Sequence, residues 1–321
     1  MRQIDKKDAS ILYHLSLNAR ATLAKLSRST KLSKEVLHYR INKLEQAGII
    51  EGYYAIINPH AVGKMFCRVY LKARTMNAET QNAFIFFLKN HQKVLWFFEL
   101  EGDLDYLFVV CCKNMTEFDV FYQDCTDKFG KYVSQKYFSW MKQVQYFKHK
   151  FLLSKEDTTS LAIGGVLQEA QLDLADKKIL SSLSKSANGS FLELARTLRM
   201  PVKTVIHKIR RLEQEKIIVG YNTRINHQLL GFTQRKVMLN LNDPSRSSLN
   251  KLVSFLAAHP CTVFITFAIG QYDLEFEMME RTYEDFHCLM QSLKQAFPDV
   301  LKDYFTVVFY AELKTEQVLL A

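Results

Sequence analysis

The stretch LEQAGIIEGYYAIIN at residues 44–58 returns as LEQEKIIVGYNTRIN at residues 212–226. A shift of 168 residues aligns the 321-residue chain with itself without a gap, and residues 4–60 then share 19 identities in 57 positions with their counterparts. The match thins beyond this stretch but stays in register, for example at Gly102 with Gly270 and at Asp105 with Asp273. Because this period is far longer than a solenoid repeat, the sequence predicts two whole units fused in tandem.

The positive charge of the chain is concentrated in the first part of each unit. The net charge is +10, and residues 1–60 and 169–228 carry +5 each. Residues 61–153 carry +4, whereas the matching block 229–321 carries −3. Basic blocks attract polyanions such as nucleic acids, although solvated lysine faces are also common.

The overall composition is that of a globular protein, with 48% hydrophobic and 24% charged residues. No run reaches the roughly 18 apolar residues of a membrane helix, and residues 1–20 lack the apolar region of a secretory signal. We therefore expect a cytoplasmic protein that does not bind a membrane. Its six cysteines have no C-x-x-C spacing, which predicts buried, reduced thiols rather than a zinc site or a disulfide framework.

The first 55 residues of each unit are predicted to be helical. Paired acids at Asp5 with Asp8 and at Asp173 with Asp176 are typical of helix starts. After a short second helix and a break, a third helix is predicted at 33–46 and again at 201–214, which gives a helix-turn-helix pattern. Lys216 replaces the helix-ending Gly48 in the second unit, which predicts a less sharply defined helix end there.

The third helix of each unit has an apolar face and a polar face. Leu37, Ile41 and Leu44 recur at helical spacing and are expected to face the core. Polar and basic side chains on the opposite face are suited to phosphates and base edges in a major groove, although a solvated helix face is the alternative. The candidate DNA-binding residues are Lys34, Glu35, His38, Tyr39, Arg40, Asn42, Lys43, Lys203, Thr204, His207, Lys208, Arg210 and Arg211.

The second part of each unit follows the order β-α-β-β-α-β, which is ferredoxin-like. Cys67, Val69 and Leu71 alternate with polar residues as in a half-buried strand. Aromatic residues in the other strands predict that a second sheet covers the open face. The expected fold is α+β, and the domains are a winged or three-helix head at 1–60, a ferredoxin-like domain at 61–153, a flexible linker at 154–171, a second head at 172–228 and a second ferredoxin-like domain at 229–321.

Each half resembles a full-length member of the Lrp/AsnC family, the feast/famine transcriptional regulators. The resemblance runs through both heads, from IDKKDASILYHL to INPHAVG and from LDLADKKILSSL to INHQLLG. The turns EGDLDYL (101–107) and IGQYDLE (269–275) resemble the Gly-x-x-Asp turn of the family's ligand-sensing domain. The likeness covers nearly the whole chain except the linker.

This resemblance implies a transcriptional regulator that binds double-stranded DNA, and sensing domains that pair sheet against sheet. The pairing implied is an intra-chain pseudo-dimer or a higher homo-oligomer. The family also implies an amino-acid effector near the Gly-x-x-Asp turns, whereas the alternative is a turn whose aspartate bonds its own backbone. The effector-binding candidates carried over are Gly102, Asp103, Asp105, Gly270, Tyr272 and Asp273.

An enzyme of the same architecture is the competing interpretation. Siroheme decarboxylases resemble the same two-domain units, and that resemblance would require histidines in the strand before the Gly-x-x-Asp turn. The two strands read VLWFF (94–98) and TVFI (262–265), without a histidine to serve as a base. We therefore predict no enzymatic activity, no catalytic residues, no cofactor and no metal.

Overall fold

Two copies of one unit follow each other along the chain, and the computed structural model describes residues 2–316. The first unit contains α1 (Lys6–Leu15), α2 (Leu23–Thr30), α3 (Lys34–Gln46), β1 (Ile50–Ile57), β2 (Met65–Ala73), α4 (Ala78–Asn90), β3 (Val94–Gly102), β4 (Tyr106–Cys112), α5 (Met115–Phe129) and β5 (Val133–Phe147). The connecting segment contains β6 (Ser160–Gly164). The second unit contains α6 (Leu174–Lys185), α7 (Phe191–Leu198), α8 (Val202–Gln214), β7 (Ile218–Ile225), β8 (Thr233–Leu241), α9 (Arg246–Ala258), β9 (Thr262–Gly270), β10 (Leu274–Glu280), α10 (Tyr283–Ala296) and β11 (Leu301–Thr315).

The predicted ferredoxin-like order is confirmed in both units, and their sheets join at two seams. Strands β5, β2, β4 and β3 form one sheet, and β11, β8, β10 and β9 form the other. Antiparallel pairing of β5 with β9 and of β11 with β3 connects them. The eight strands therefore form a closed ring. Within it, each sheet covers the face of the other sheet that the aromatic residues predict to be buried.

Strand β2 shows how alternation assigns the two faces of the sheet. Cys67, Val69 and Leu71 belong to the core that includes residues of α4 and α5. Tyr70 belongs to a different cluster, which includes Met238 and Val307 of the second unit. Successive side chains of a strand point to opposite faces, so one face packs on its own helices and the other on the partner unit.

The prediction that the first 55 residues are helical is wrong from Ile50 onward. Strands β1 and β7 form a two-stranded antiparallel ribbon, in which Tyr54 pairs with Asn222. The apolar run after Gly48 is ambiguous in sequence, because a short apolar run fits either a buried strand or a helix. The partner strand lies in the other unit, and this distant pairing decides the conformation.

The prediction of a flexible linker is wrong for part of 154–171. Residues Ser160–Gly164 form β6, which pairs antiparallel with the end of β5 from Gln143 to Phe147. Gly164 has φ +101, and a Cβ there would lie 2.3 Å from the carbonyl oxygen of Lys142. The glycine pair that indicates flexibility in the sequence therefore permits a close backbone approach in the fold.

The prediction of a loosely defined end for α8 is also wrong. Helix α8 ends at Gln214, the position that matches Gln46 at the end of α3. Lys216 adopts φ +57, close to the φ +69 of Gly48. The second unit thus keeps the left-handed turn without glycine, at a cost of roughly 1–2 kcal/mol for a residue with a Cβ.

The cysteines carry no disulfide among the described residues, and four of the six are buried. Cys261 is partly exposed and Cys288 is exposed, so the prediction of buried thiols is wrong for Cys288. Within residues 2–316 no helix has the length and apolar character to cross a membrane, and no group of three or more His, Cys, Asp or Glu side chains has metal-site geometry.

Candidate nucleic-acid interface

The break between the second and third helices of each head is a left-handed turn. Lys31 ends α2 with φ 58 and Arg199 ends α7 with φ 53, at matched positions. Ser33 then accepts a hydrogen bond from the Val36 amide and starts α3, whereas Pro201 starts α8 without a side-chain cap. The same backbone path places the third helix in both heads, as expected for a helix-turn-helix.

Three of the candidate DNA-binding cations form ion pairs with aspartates of their own heads. Arg40 Nη1 lies 2.9 Å from Asp5 Oδ2 and 2.7 Å from Asp8 Oδ1. At the matched position, Lys208 Nζ lies 2.6 Å from Asp173 Oδ2 and 3.1 Å from Asp176 Oδ1. Arg211 also pairs with Asp176. These contacts tie the third helix to the start of the first, so we correct the assignment of Arg40, Lys208 and Arg211 to a free DNA-binding face.

The remaining candidates form two exposed faces with different chemistry. On α3, Asn42 is half-buried and its Nδ2 lies 3.2 Å from His38 Nε2. Thr204 is half-buried on α8. The candidates that the structure leaves exposed are Lys34, Glu35, His38, Tyr39 and Lys43 on α3, and Lys203, His207 and Arg210 on α8. We call these two sets, with Asn42 and Thr204, the reading faces.

The two heads share one core. Ala19 N donates to Tyr221 O at 3.0 Å, and the matched Ala187 N donates to Tyr53 O at 2.8 Å. Arg20 Nη1 donates to Ala187 O, and its guanidinium lies 4.6 Å from the centre of the Phe191 ring. Buried apolar residues of both heads belong to a single cluster. The two reading helices are therefore fixed relative to each other by packing rather than by a flexible connection.

The aspartates of the Gly-x-x-Asp turns bond to the neighbouring strand. Asp105 Oδ2 accepts from Ala73 N at 2.7 Å, and its Oδ1 lies 3.1 Å from Lys72 Nζ. The matched Asp273 Oδ2 accepts from Leu241 N at 2.8 Å. Each aspartate thus bonds to backbone, as in the alternative interpretation of the turns. The backbone belongs to the adjacent strand, however, rather than to the turn itself.

The glycines of these turns lie at the seams between the units. Gly102 pairs with Val307 of β11, and Gly270 pairs with Ser139 of β5. A Cβ on Gly270 would lie 2.2 Å from the carbonyl oxygen of Phe138, which leaves no room for a side chain. Of the other effector candidates, Asp103 is exposed and Tyr272 is half-buried, stacked with Phe305 at 6.2 Å.

Sequence reasoning missed a buried ionic network between the units. Arg68 Nη1 lies 2.6 Å from Glu275 Oε2, and Lys236 Nζ lies 3.0 Å from the same oxygen and 2.8 Å from Glu277 Oε1. Ser139 donates to Glu275 Oε1 at 2.6 Å. Burial alone would raise the pKa of Glu275, but Lys236 and Arg68 outweigh burial and lower the pKa to about 2. A sequence signal did exist, because charged residues recur at inward positions of apolar strands.

A cavity of about 180 Å³ is a second feature that sequence reasoning missed. It is lined by residues of both units, and they include the matched pairs Trp96 with Phe264 and Tyr54 with Asn222. His149 and His227 also line it, and burial lowers the pKa of each imidazole to about 4. These histidines lie outside β3 and β9, the strands in which the decarboxylase resemblance requires a histidine.

Comparisons with known proteins agree with this architecture. A family model described as winged helix-turn-helix DNA-binding matches residues 4–51 and 172–219. The HTH-type transcriptional regulator FL11 of Pyrococcus horikoshii is 30% identical over 121 residues, which cover 37% of this chain and 77% of that protein. The glutamate uptake regulatory protein of Zymomonas mobilis is 26% identical over 163 residues, which cover 50% of this chain and 97% of that protein.

Solved structures of a siroheme decarboxylase match both units together. The siroheme decarboxylase NirDL superposes with a TM-score of 0.64 over 97% of this chain and 93% of that chain, at 15% identity. At this identity the likeness concerns the fold alone. The paired heads, the ferredoxin-like domains and the regulator relatives together identify the function in outline as DNA-binding transcriptional regulation. The chain belongs to the Lrp/AsnC family of transcriptional regulators and carries two full units of it in one polypeptide.

Proposed function

We propose that this chain is a sequence-specific DNA-binding regulator in which each unit contributes one reading helix. The observation that carries the proposal is the pair of exposed, non-identical reading faces held on one shared core. Lys203 and Arg210 on α8 and Lys34 and Lys43 on α3 are free to approach phosphates or base edges. Heads 1–60 and 172–228 bind DNA, and domains 61–153 and 229–321 pair within the chain as a pseudo-dimer.

A salt titration of DNA binding tests this proposal. Log K falls with log salt by roughly 0.9 per neutralised phosphate, so the slope measures how many cations reach the backbone. Arg210→Ala is expected to weaken binding and to reduce the slope by roughly one if Arg210 contacts a phosphate. Arg74→Ala, an exposed arginine of the first ferredoxin-like domain, is the control and leaves the slope unchanged. Absence of DNA binding at low salt would overturn the proposal.

A comparison of Arg210 with Arg40 distinguishes a cation that contacts DNA from a cation that stabilises its own head. Arg40 is held by Asp5 and Asp8 within its own head. Arg40→Ala is therefore expected to lower the melting temperature and to change the salt slope less than Arg210→Ala does. Equal salt slopes for the two variants, measured where both are fully folded, would contradict the distinction between the ion-paired Arg40 and the reading face.

A response to an amino acid at the Gly-x-x-Asp turns is a further part of the proposal. The exposed Asp103 and the phenol of Tyr272 support it, because both lie beside backbone at the unit seams. A ligand of the native state raises the melting temperature, so thermal shifts with each amino acid at millimolar concentration test it. Asp103→Ala is expected to abolish the shift, and a set of uniformly flat responses would leave the turns with a structural role only.

We propose that the chain has no siroheme decarboxylase activity. Strands β3 and β9 supply no histidine, and the cavity volume of about 180 Å³ is close to the roughly 150 Å³ that holds a single benzene. A tetrapyrrole macrocycle joins four pyrrole rings and is several times larger than benzene. Titration with an iron porphyrin is expected to give no saturable shift of its visible absorption, and saturable binding with turnover of siroheme would establish the enzyme instead.

A further inference from the structure

The cavity between the units is lined by the ribbon of the heads and by the strands of both sheets. Tyr54 of β1 and Arg224 of β7 contribute from the ribbon, whereas Trp96 of β3 and Phe264 of β9 contribute from the sheets. Val144 and Glu312, which occupy matched positions in β5 and β11, also line it. Because matched residues of the two units meet there, the cavity lies where the units face each other. It is separate from the Gly-x-x-Asp turns, and none of the six effector candidates lines it.

Aromatic rings form much of the wall. Tyr146 and Phe264 meet edge to face with ring centres 5.0 Å apart, and Phe98 and Phe309 do the same at 5.0 Å. Trp96 is held by an edge-to-face contact with Phe66 at 5.6 Å. Such rings favour a flat aromatic guest, which stacks or meets them edge to face. The volume of about 180 Å³ accommodates one ring with a short substituent, since roughly 150 Å³ holds benzene.

Several polar groups of the wall have no partner among the described residues, and they include Arg224, His149 Nδ1 and Thr315 Oγ1. Arg224 is half-buried and makes no ion pair or side-chain hydrogen bond with the residues that the structure describes, 2–316; its guanidinium lies 5.6 Å from the centre of the Tyr54 ring. His149 Nδ1 is buried and likewise lacks a hydrogen-bond partner within that range. A buried polar atom left without a partner destabilises the protein, and a bound ligand with polar atoms removes that cost.

Two other charges of the wall are already paired, whereas the exposed Glu312 makes no ion pair or side-chain hydrogen bond with the described residues, 2–316. Arg68 is bound by Glu275, and Glu277 accepts from Gln234 at 2.7 Å and pairs with Lys236. Asn222 Oδ1 accepts from Leu17 N, and Asn222 Nδ2 donates to the Tyr54 hydroxyl. Arg224 is thus a half-buried cation of the wall that no acid among residues 2–316 pairs, and a guanidinium binds carboxylates in a two-pronged geometry.

We propose that this cavity binds a small aromatic carboxylate, with its ring among Trp96, Tyr146 and Phe264 and its carboxylate on Arg224. The site takes residues from both units, so the fusion builds it. Arg224 belongs to β7, whose partner strand β1 lies in the other head. A ligand here contacts the ribbon that fixes the relative position of the two reading helices. The proposal concerns binding alone and does not depend on DNA recognition.

Tryptophan fluorescence offers a direct test, because the chain contains only Trp96 and Trp140. Trp140 packs against Phe118 in the core of the first unit and does not line the cavity. In a Trp140→Phe background the emission therefore reports Trp96. Benzoate is the probe, and its neutral amide, benzamide, is the control ligand. The expected result is a saturable change of emission with benzoate at an affinity at least ten-fold above that for benzamide.

Two variants locate the carboxylate. Arg224→Gln is expected to remove the preference of the protein for benzoate over benzamide. Arg74→Gln, at an exposed arginine that does not line the cavity, is expected to keep it. The ligand comparison in the Trp140→Phe protein stands by itself if Arg224→Gln fails to fold. Three results overturn the proposal: no saturable response to benzoate at millimolar concentration, equal affinities for the two ligands, or an unchanged preference in a folded Arg224→Gln protein.

Discussion

The two copies of the unit agree where residues hold a head together and differ where a head faces outward. Arg40 and Lys208 occupy matched positions and bind matched aspartates at the start of the first helix. Tyr53 and Tyr221 donate to Glu45 and Glu213, both at 2.6 Å. On the reading faces the matched residues differ in chemical type, as in Tyr39 with His207 and Asn42 with Arg210.

The comparison extends to the seam between the sheets. Glu275 and Glu277 of the second copy replace Leu107 and Val109 of the first, and both acids are buried against Arg68 and Lys236. Two identical units would place either four such acids or none at this interface. A single chain with two unlike halves can balance the charges, so the fusion permits an asymmetry that a homodimer excludes.

The largest expected effect comes from breaking this unequal network. Arg68→Met leaves Glu275 and Glu277 with one cation, and removal of one partner of a buried ion pair costs about 3–5 kcal/mol. Lys93→Met is the matched control, because the Lys93–Glu117 pair at 3.0 Å is about one third exposed and is worth about 0–1 kcal/mol. Urea unfolding monitored by circular dichroism measures both. Equal losses would show that the network does not support the pairing of the units.

A smaller effect is expected at the turn glycines, where the two copies again differ. Gly270→Ala places a Cβ 2.2 Å from Phe138 O and is expected to cost about 3 kcal/mol as strands β5 and β9 separate. Gly102→Ala meets its nearest atom, Thr306 O, at 3.4 Å, but its φ of +125 adds backbone strain of about 1–3 kcal/mol. Thermal unfolding of both variants ranks them. A milder loss for Gly270→Ala than for Gly102→Ala would contradict the described register of the β5–β9 seam.

The cavity histidines predict an acid-sensitive molecule. Neither His149 nor His227 has a histidine at its matched position in the other copy. Burial lowers the pKa of both to about 4, from an ordinary value of 6.5, and for His149 the neighbouring His227 contributes. The unfolded chain therefore binds more protons below pH 6.5, and stability falls as the pH falls from about 6.5 towards 4.

At pH 5 this loss amounts to about 2 kcal/mol for each histidine. Melting temperatures at pH 7 and pH 5 measure it. His149→Gln and His227→Gln are expected to flatten the dependence in this range, whereas the exposed His287→Gln leaves it as in the parent protein. A slope that survives the double substitution would assign the acid sensitivity to other groups.

The smallest effect concerns the helix end that the copies build differently. Lys216→Gly is expected to stabilise the protein by about 1 kcal/mol, because glycine adopts φ +57 without a Cβ clash. The reverse exchange in the first copy, Gly48→Lys, is expected to destabilise by a similar amount. Differential scanning calorimetry resolves both shifts. A destabilised Lys216→Gly variant would indicate that the lysine side chain makes a contact worth more than the strain.

The sequence predicted local features well because they depend on near neighbours. Helices α3 and α8 end at the predicted residues, Gln46 and Gln214, since helix signals such as the Ser33 cap act within one turn. Strands β1, β6 and β7 are not predicted from the sequence, because their partner strands lie in another unit or another domain. A short apolar run alone does not show which strand it pairs with. The repeat itself supplied the order of the domains.

The site divides in the same way. Spacing along α3 and α8 correctly separated core from surface for Leu37, Ile41 and their counterparts, but it could not show that Lys208 and Arg211 turn towards Asp176. That outcome depends on the crossing of two helices. The cavity and its unpaired Arg224 arise from strands far apart in sequence, so periodicity contains no trace of them.

Selection of binding sites from random double-stranded DNA determines whether the two heads read different sequences. The reading faces present different donors and acceptors, such as Asn42 against Arg210, and the shared core holds them in one relative position. We expect an asymmetric site bound in one orientation, with Asn42→Ala relaxing one half-site only. Recovery of a palindrome with equally enriched half-sites, relaxed on both sides by that variant, would contradict it.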